Sequence, residues 1–87
     1  MHSKIDSAVL LAARIGEAVA AERGRLGLRQ DELALIAGVS ARVVHQVENG
    51  KATSRLDSLA PVLDALGLTL SVARRDSDSG LATSIKS

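Results

Sequence analysis

Between Ile36 and Lys51 the chain reads IAGVSARVVHQVENGK, and this stretch limits the fold more than any other. Apolar residues recur at helical spacing before Gly38-Val39-Ser40 and again directly after it. Leu33, Ala34, Ile36 and Ala37 form an apolar face on the first side of the break; Val39, Val44 and Val47 form one on the second. A gap of three residues leaves room only for a tight turn, so two short helices must cross steeply. Ala34 and Gly38 are small where the two would touch.

The rest of the sequence bounds how such a pair is supported. The chain has 87 residues and no Phe, Tyr, Trp or Cys. One small domain is expected, burying roughly 60–65% of the surface its unfolded chain exposes. Its core must be aliphatic, and without the large buried areas of aromatic rings, added burial between subunits is a natural supplement. Disulfides, thiolate metal sites and cysteine nucleophiles are excluded, and a cytoplasmic, nucleoid-associated setting is expected. With two His and no Cys, neither a metal site nor a cofactor is expected. No apolar run has the length of a membrane span. The opening MHSKIDSAVLLAAR lacks the long apolar region of a signal peptide and reads as part of the fold. The net charge of +1 points to no polyanion by itself, so any such attraction must be local.

Helical periodicity runs from Asp6 to about Leu26, with Val9, Ala12, Ile15, Val19 and Leu26 on one stripe. It fits one long helix, or a short leading helix and a main one from about Ala13. Residues 1–4 should fray, and residues 1–12 read as a partly helical extension. Gly27 suits the left-handed position after this helix. A second helix opens at Asp31-Glu32 and ends at Ala37; a third runs from Ala41 to Asn49 with Ser40 as its N-cap. Ser54-x-x-Asp57 resembles a capping box for a fourth helix reaching Leu66, with Pro61 expected to kink it or delay its start.

After Gly67 the period changes. LTLSV, Leu68 to Val72, alternates strictly and reads as a lone strand over 68–74, the alternative being an extension lying unpaired over the helices. A strand without a partner is a template for pairing, and its own copy across a two-fold axis is the simplest partner, through Leu68, Leu70 and Val72. Residues 13–75 thus form the domain and 76–87 a flexible Ser/Asp-rich tail.

The crossed pair is the physical description of a helix-turn-helix. At 100° per residue, Val44 and Val47 turn inward and Arg42, His45, Gln46 and Asn49 outward. Arg offers a bidentate fork to guanine and Gln can pair with adenine, so this face suits a major groove. Ser40 and the free amides of the helix start suit a phosphate oxygen. Arg23 falls on the inward stripe of the first helix, where a charge needs a partner. Glu48 flanks the inward face of the third helix and is the expected one, in a structural ion pair.

The run LRQDELALIAGVSARVVHQVENGK, Leu28 to Lys51, resembles the Xre/phage-repressor family, whose usual form is LTQ-x-x-LA-x-x-AGVS-x-x-x-I-x-x-x-ENGK. The match has no gap, and looser similarity extends from Ile15 to Val72. The resemblance implies a lambda-repressor-like fold: mainly α, with four to five helices and one C-terminal strand paired across a dimer. It implies base reading by Ala41, Arg42 and Gln46, with backbone contacts from Gln30, Ser40, Asn49 and Lys51. Ala41 can reach only a thymine methyl. Arg29 stands where the family has Thr, losing a cap and gaining a cation near phosphate. The family also commonly pairs the positions of Arg23 and Glu48. Further on, RLDSLAPVLDALGLTLSV resembles the HipB-type antitoxins, which repress their own operon as strand-paired dimers and neutralise a HipA-like kinase toxin.

Plainer readings apply elsewhere. His45 is a contact to base or phosphate, or a solvated surface group; His2 is terminal; Arg74 and Arg75 end the strand; Asp57 and Asp64 are helix-surface charges. No nucleophile–base pair, metal cluster or phosphate-cradling glycine loop is present, which argues against an enzyme. The sequence therefore reads as a sequence-specific DNA-binding repressor and HipB-like antitoxin. The alternative is a stand-alone regulator of the same family, or the antitoxin of another toxin class. Expected partners are double-stranded operator DNA with two half-sites, a second copy and a HipA-like kinase toxin, with no membrane.

Overall fold

The computed structural model describes residues 4–74. Its helices are α1 (Lys4–Arg25), α2 (Gln30–Ala37), α3 (Ala41–Glu48) and α4 (Leu56–Ala65). The expected fraying of Met1, His2 and Ser3, and the expected tail after Arg75, lie outside the described residues.

α1 runs unbroken through Ala13. Its inward stripe is carried by Ile15 and Val19, the latter fully buried. Val9 and Leu26, expected on that stripe, are about half exposed. α1 packs chiefly on α3, and the buried core takes from α1 only the part around Ile15 and Val19, leaving Val9 and Leu26 outside it.

α2 and α3 lie against each other and enclose Leu33, Ala34, Val44 and Val47, all buried. α4 closes the core from the other side with Leu59, Val62 and Leu63. Ile36 was expected on the inward face of α2, yet it is largely exposed, as is Leu35. Eight residues make barely two turns, and Leu33, Ala34 and the half-buried Ala37 already fill the inward side.

The turn between α2 and α3 depends on Gly38 for a reason other than close packing. Its φ is 75°, and a side chain there would meet no heavy atom within 4 Å. The left-handed backbone lets the Val39 amide donate to the Ala34 carbonyl (3.0 Å) and the Gly38 amide to the Leu35 carbonyl (3.3 Å). This closes the last turn of α2 with the paired bonds of a Schellman motif. The other three helices end on a glycine in the same way.

α4 starts at Leu56, with Arg55 at its N-cap and no side-chain cap. Ser54 does not form the expected capping box, because its hydroxyl donates to the Lys51 carbonyl at 2.8 Å and braces the preceding loop. The later start puts Pro61 in the second turn. There its missing amide leaves the Asp57 carbonyl without the usual i−4 bond.

After Gly67 the chain continues without regular structure to Arg74, and no strand occurs among the described residues. A ladder needs a second extended segment, and the described part of this chain has none. Leu68 packs against the core, Leu70 is half exposed and Val72 is fully exposed.

Candidate nucleic-acid interface

The outward face of α3 is held in place mainly through the last turn of that helix. Gly16 of α1 lies so close to it that an added Cβ would sit 2.5 Å from the Val47 carbonyl oxygen and 2.8 Å from that of Glu48. Gly50, just beyond α3, has its Cβ position 3.3 Å from the Ala13 Cα. These two glycines let the α1 and α3 backbones touch.

Polar bonds fix the same turn. Arg23 Nε donates to Glu48 Oε2 at 2.5 Å and Nη2 to Oε1 at 3.0 Å, a bidentate pair. The Arg23 and Glu48 side chains are only 21% and 7% exposed. Arg23 Nη1 also donates to the Leu28 carbonyl at 2.8 Å, reaching the loop before α2. Gln30 Nε2 donates to Glu48 Oε1 at 3.0 Å, which brings in α2. Glu48 therefore joins α1, α2 and α3. Burial pushes its carboxyl upward, but the bonds from Arg23 and Gln30 and the charges of Arg23 and His45 outweigh that. The net result is a pKa below the usual glutamate value. The bond from Glu48 likewise raises Arg23, which stays charged.

Ser40 holds the other end of α3, its hydroxyl accepting from the Val43 amide at 3.2 Å. Between these anchors Ala41, Arg42, His45 and Asn49 are exposed and Gln46 is half buried. Asn49 Nδ2 donates to the His45 carbonyl at 3.0 Å and lies 3.0 Å from His45 Nε2, so these two side chains are already positioned against each other. Lys51 Nζ faces Gln46 Oε1 at 3.5 Å, a long contact that a base edge would replace easily.

Several cations around this face are already paired with carboxylates. Arg25 is closed on Glu22, Arg29 on Asp31 and Glu32, and Arg55 on Asp57. Arg42 and Lys51 have no carboxylate partner among the described residues, so their charges stay available to an incoming anion. Gln30 uses one amide hydrogen on Glu48 and has a second to donate. Arg29 reaches a phosphate only by leaving its two acids. The Glu32 carboxylate accepts the Arg29 backbone amide at 2.8 Å and so supplies the cap that the Arg29 side chain lacks.

Gly16 and Gly50 position this site, and sequence reading did not single them out for it. A glycine in the middle of an otherwise helical run, as at Gly16, is the signal that marks such a contact. Leu68 and Leu70 lie beside α4, and Val72 is fully exposed. Among the described residues, no group of three His, Cys, Asp or Glu could hold a metal ion, and no helix is long and apolar enough to cross a membrane.

Comparison with known proteins agrees with this architecture. A family model described as helix-turn-helix matches residues 19–72, from the buried centre of α1 to the end of the alternating segment. A protein of Sinorhizobium fredii, named as an uncharacterized HTH-type transcriptional regulator, is 40% identical over 60 residues. That similarity spans 69% of this chain and 79% of the relative. The chain belongs to the Xre-type helix-turn-helix family.

Proposed function

We propose that this protein is a sequence-specific DNA-binding transcriptional repressor acting as a homodimer, each copy placing α3 in a major groove. The observation that carries the reading is an exposed α3 face, flanked by Lys51, where Arg42 and Lys51 lack carboxylate partners among the described residues while the helix is anchored at both ends. Arg42 and Gln46 are assigned to base edges, and Ala41 to a thymine methyl. Gln30, Ser40, Asn49 and Lys51 are assigned to the DNA backbone. His45, aligned with Asn49, sits beside them. The two copies would meet half-sites about 34 Å apart on one face of the duplex.

The test is fluorescence anisotropy on the DNA upstream of the gene, in a salt series, for the wild type and Arg42→Ala. Affinity falling steeply with salt, and falling again in the variant, is expected. Equal binding to that DNA and to a scrambled duplex would overturn the reading.

A finer reading makes the dimer the antitoxin of a HipA-like kinase. The similarity of Arg55–Val72 to HipB-type antitoxins supports it. Co-expression with the neighbouring gene tests it. A kinase-like protein that co-purifies and leaves promoter binding intact is the expected outcome. A promoter shift without a protein partner leaves a stand-alone regulator.

A further inference from the structure

An apolar groove lies between α1, the start of α4 and the segment at Leu70, and it also touches Val47 and Lys51. Ala8, Leu11 and Ile15 of α1 form one wall, Leu56 and Leu59 the floor, and Leu70 the other wall. Leu11 is 58% exposed and Leu56 71% exposed, although both line it. Along its edge the segment from Leu68 carries backbone amides and carbonyls with no ladder partner among the described residues.

The sequence of that edge is self-complementary about Leu70. In an antiparallel pair of two copies centred there, Leu70 faces Leu70, Leu68 faces Val72 and Thr69 faces Ser71. Apolar meets apolar on one face and hydroxyl meets hydroxyl on the other, which is the pairing that stabilises sheets. This register also brings the partner subunit's Arg74 to the carboxyl end of α4. There the exposed Asp64 and the negative end of the helix attract a cation.

We infer that the groove beside α1 is the seat for the 68–74 strand of a second copy, so that α1 of one subunit covers the strand of the other. The two-fold arrangement closes consistently. Each strand lies between its partner strand and the partner's α1, and each copy's groove is filled once. The exposed Leu11, Leu56 and Val72 are then interface residues, and α1 forms a wall for the partner. This rests on the strand-paired dimer and adds where that strand sits.

Two adjacent leucines of α1 provide the test. Leu11 lines the groove, whereas Leu10, 53% exposed, does not. Leu11→Glu and Leu10→Glu are compared with the wild type by sedimentation equilibrium, with circular dichroism reporting folding. At least a tenfold rise in the dimer dissociation constant is expected for Leu11→Glu and under threefold for Leu10→Glu. Leu70→Cys, in a chain without cysteine, independently tests the register. Mild oxidation should link two copies through Cys at 70, while Thr69→Cys, facing Ser71, should not link. A dimer that links through position 70 and tolerates Leu11→Glu would overturn the seating in the groove while leaving the strand pairing intact. A monomeric wild type that does not link at all would overturn both. If Leu11→Glu fails to fold, Ala8→Glu on the same wall replaces it.

Discussion

Gly16→Ala and Gly24→Ala place the same added methyl on the same helix with opposite expected effects. At Gly24 no heavy atom lies within 4 Å of the new Cβ, so the change only removes backbone freedom from the unfolded chain. The gain is that of Ala over Gly in a helix, at most about 1 kcal/mol and less so close to the helix end. At Gly16 the same gain competes with a Cβ 2.5 Å from the Val47 carbonyl oxygen and 2.8 Å from that of Glu48. Ordinary contact begins near 3.4 Å, so α1 and α3 must separate by most of an ångström along that line. Both obstacles are backbone atoms in the last turn of a helix and cannot rotate away. Overpacking of this kind costs about 1–3 kcal/mol, and the rigid obstacle puts it at the upper end. With the propensity gain subtracted, the net loss is about 2 kcal/mol.

For a domain of this size, 1 kcal/mol moves Tm by roughly 4–8 °C. Gly16→Ala should therefore melt about 8–16 °C below the wild type and Gly24→Ala a few degrees above it. Thermal denaturation followed at 222 nm, at one protein concentration because self-association would shift Tm, reads both. Anisotropy on the operator adds a second reading: moving α1 off α3 tilts the reading helix, so Gly16→Ala should also lose affinity at temperatures where it remains folded. A Gly16→Ala variant as stable as Gly24→Ala would mean that α1 and α3 do not touch in solution. The account of how α3 is aimed would then fail.

Glu48→Gln leaves Arg23 partly buried without its counter-charge. Breaking a buried pair costs about 3–5 kcal/mol, and the residual exposure of Arg23 argues for the lower figure. Because the folded-state pKa of Glu48 is depressed, its contribution is fully present above the ordinary glutamate value and disappears as pH falls through the depressed one. Urea denaturation between pH 7 and pH 3 should thus show less acid destabilisation in Glu48→Gln than in the wild type, and parallel curves would rule out Glu48 as a source of it. Arg42→Ala should cost about 1–3 kcal/mol and relax specificity at one base position, read by competition with single-base operator variants. Lys51→Ala should weaken binding to all sequences alike and lower the salt slope by about one; an unchanged slope would exclude a phosphate contact. Val72→Pro should weaken dimerisation in sedimentation equilibrium, and an unchanged dimer would mean that this segment is not the intersubunit element.

Local chemistry made the helices and their ends readable before any coordinates. Gly27, Gly38, Gly50 and Gly67 each follow an apolar periodic run, and Ser40 precedes one. The exposure of Arg42, His45 and Asn49 likewise follows from 100° steps once Val44 and Val47 are placed inside. What could not be read depends on distances between elements. Ile36 follows Leu33 at helical spacing, but only the crossing of α2 over α3 decides that Leu33 and Ala34 fill the interior instead. Ser54 has the chemistry of an N-cap, yet the loop from Lys51 presents a carbonyl to it first. Gly38 reads as the turn glycine that it is and also as a contact glycine that it is not, while Gly16, which the reading of the sequence does not single out, is the contact glycine.

That exchange shows how the restraints on α3 are divided. Gly16, Gly50, Arg23 and Gln30 all act on the last turn of the helix, and Ser40 acts on the first. Eight residues give little over two turns, so a helix fixed at both ends has no freedom left to roll. Arg42 and Gln46 lie between the fixed ends, and among the described residues their side chains carry no bond stronger than the long contact from Lys51. A substitution on the outward face should therefore change which bases are read without changing how the helix is presented. A substitution at Gly16 or Glu48 should change the presentation for every sequence at once.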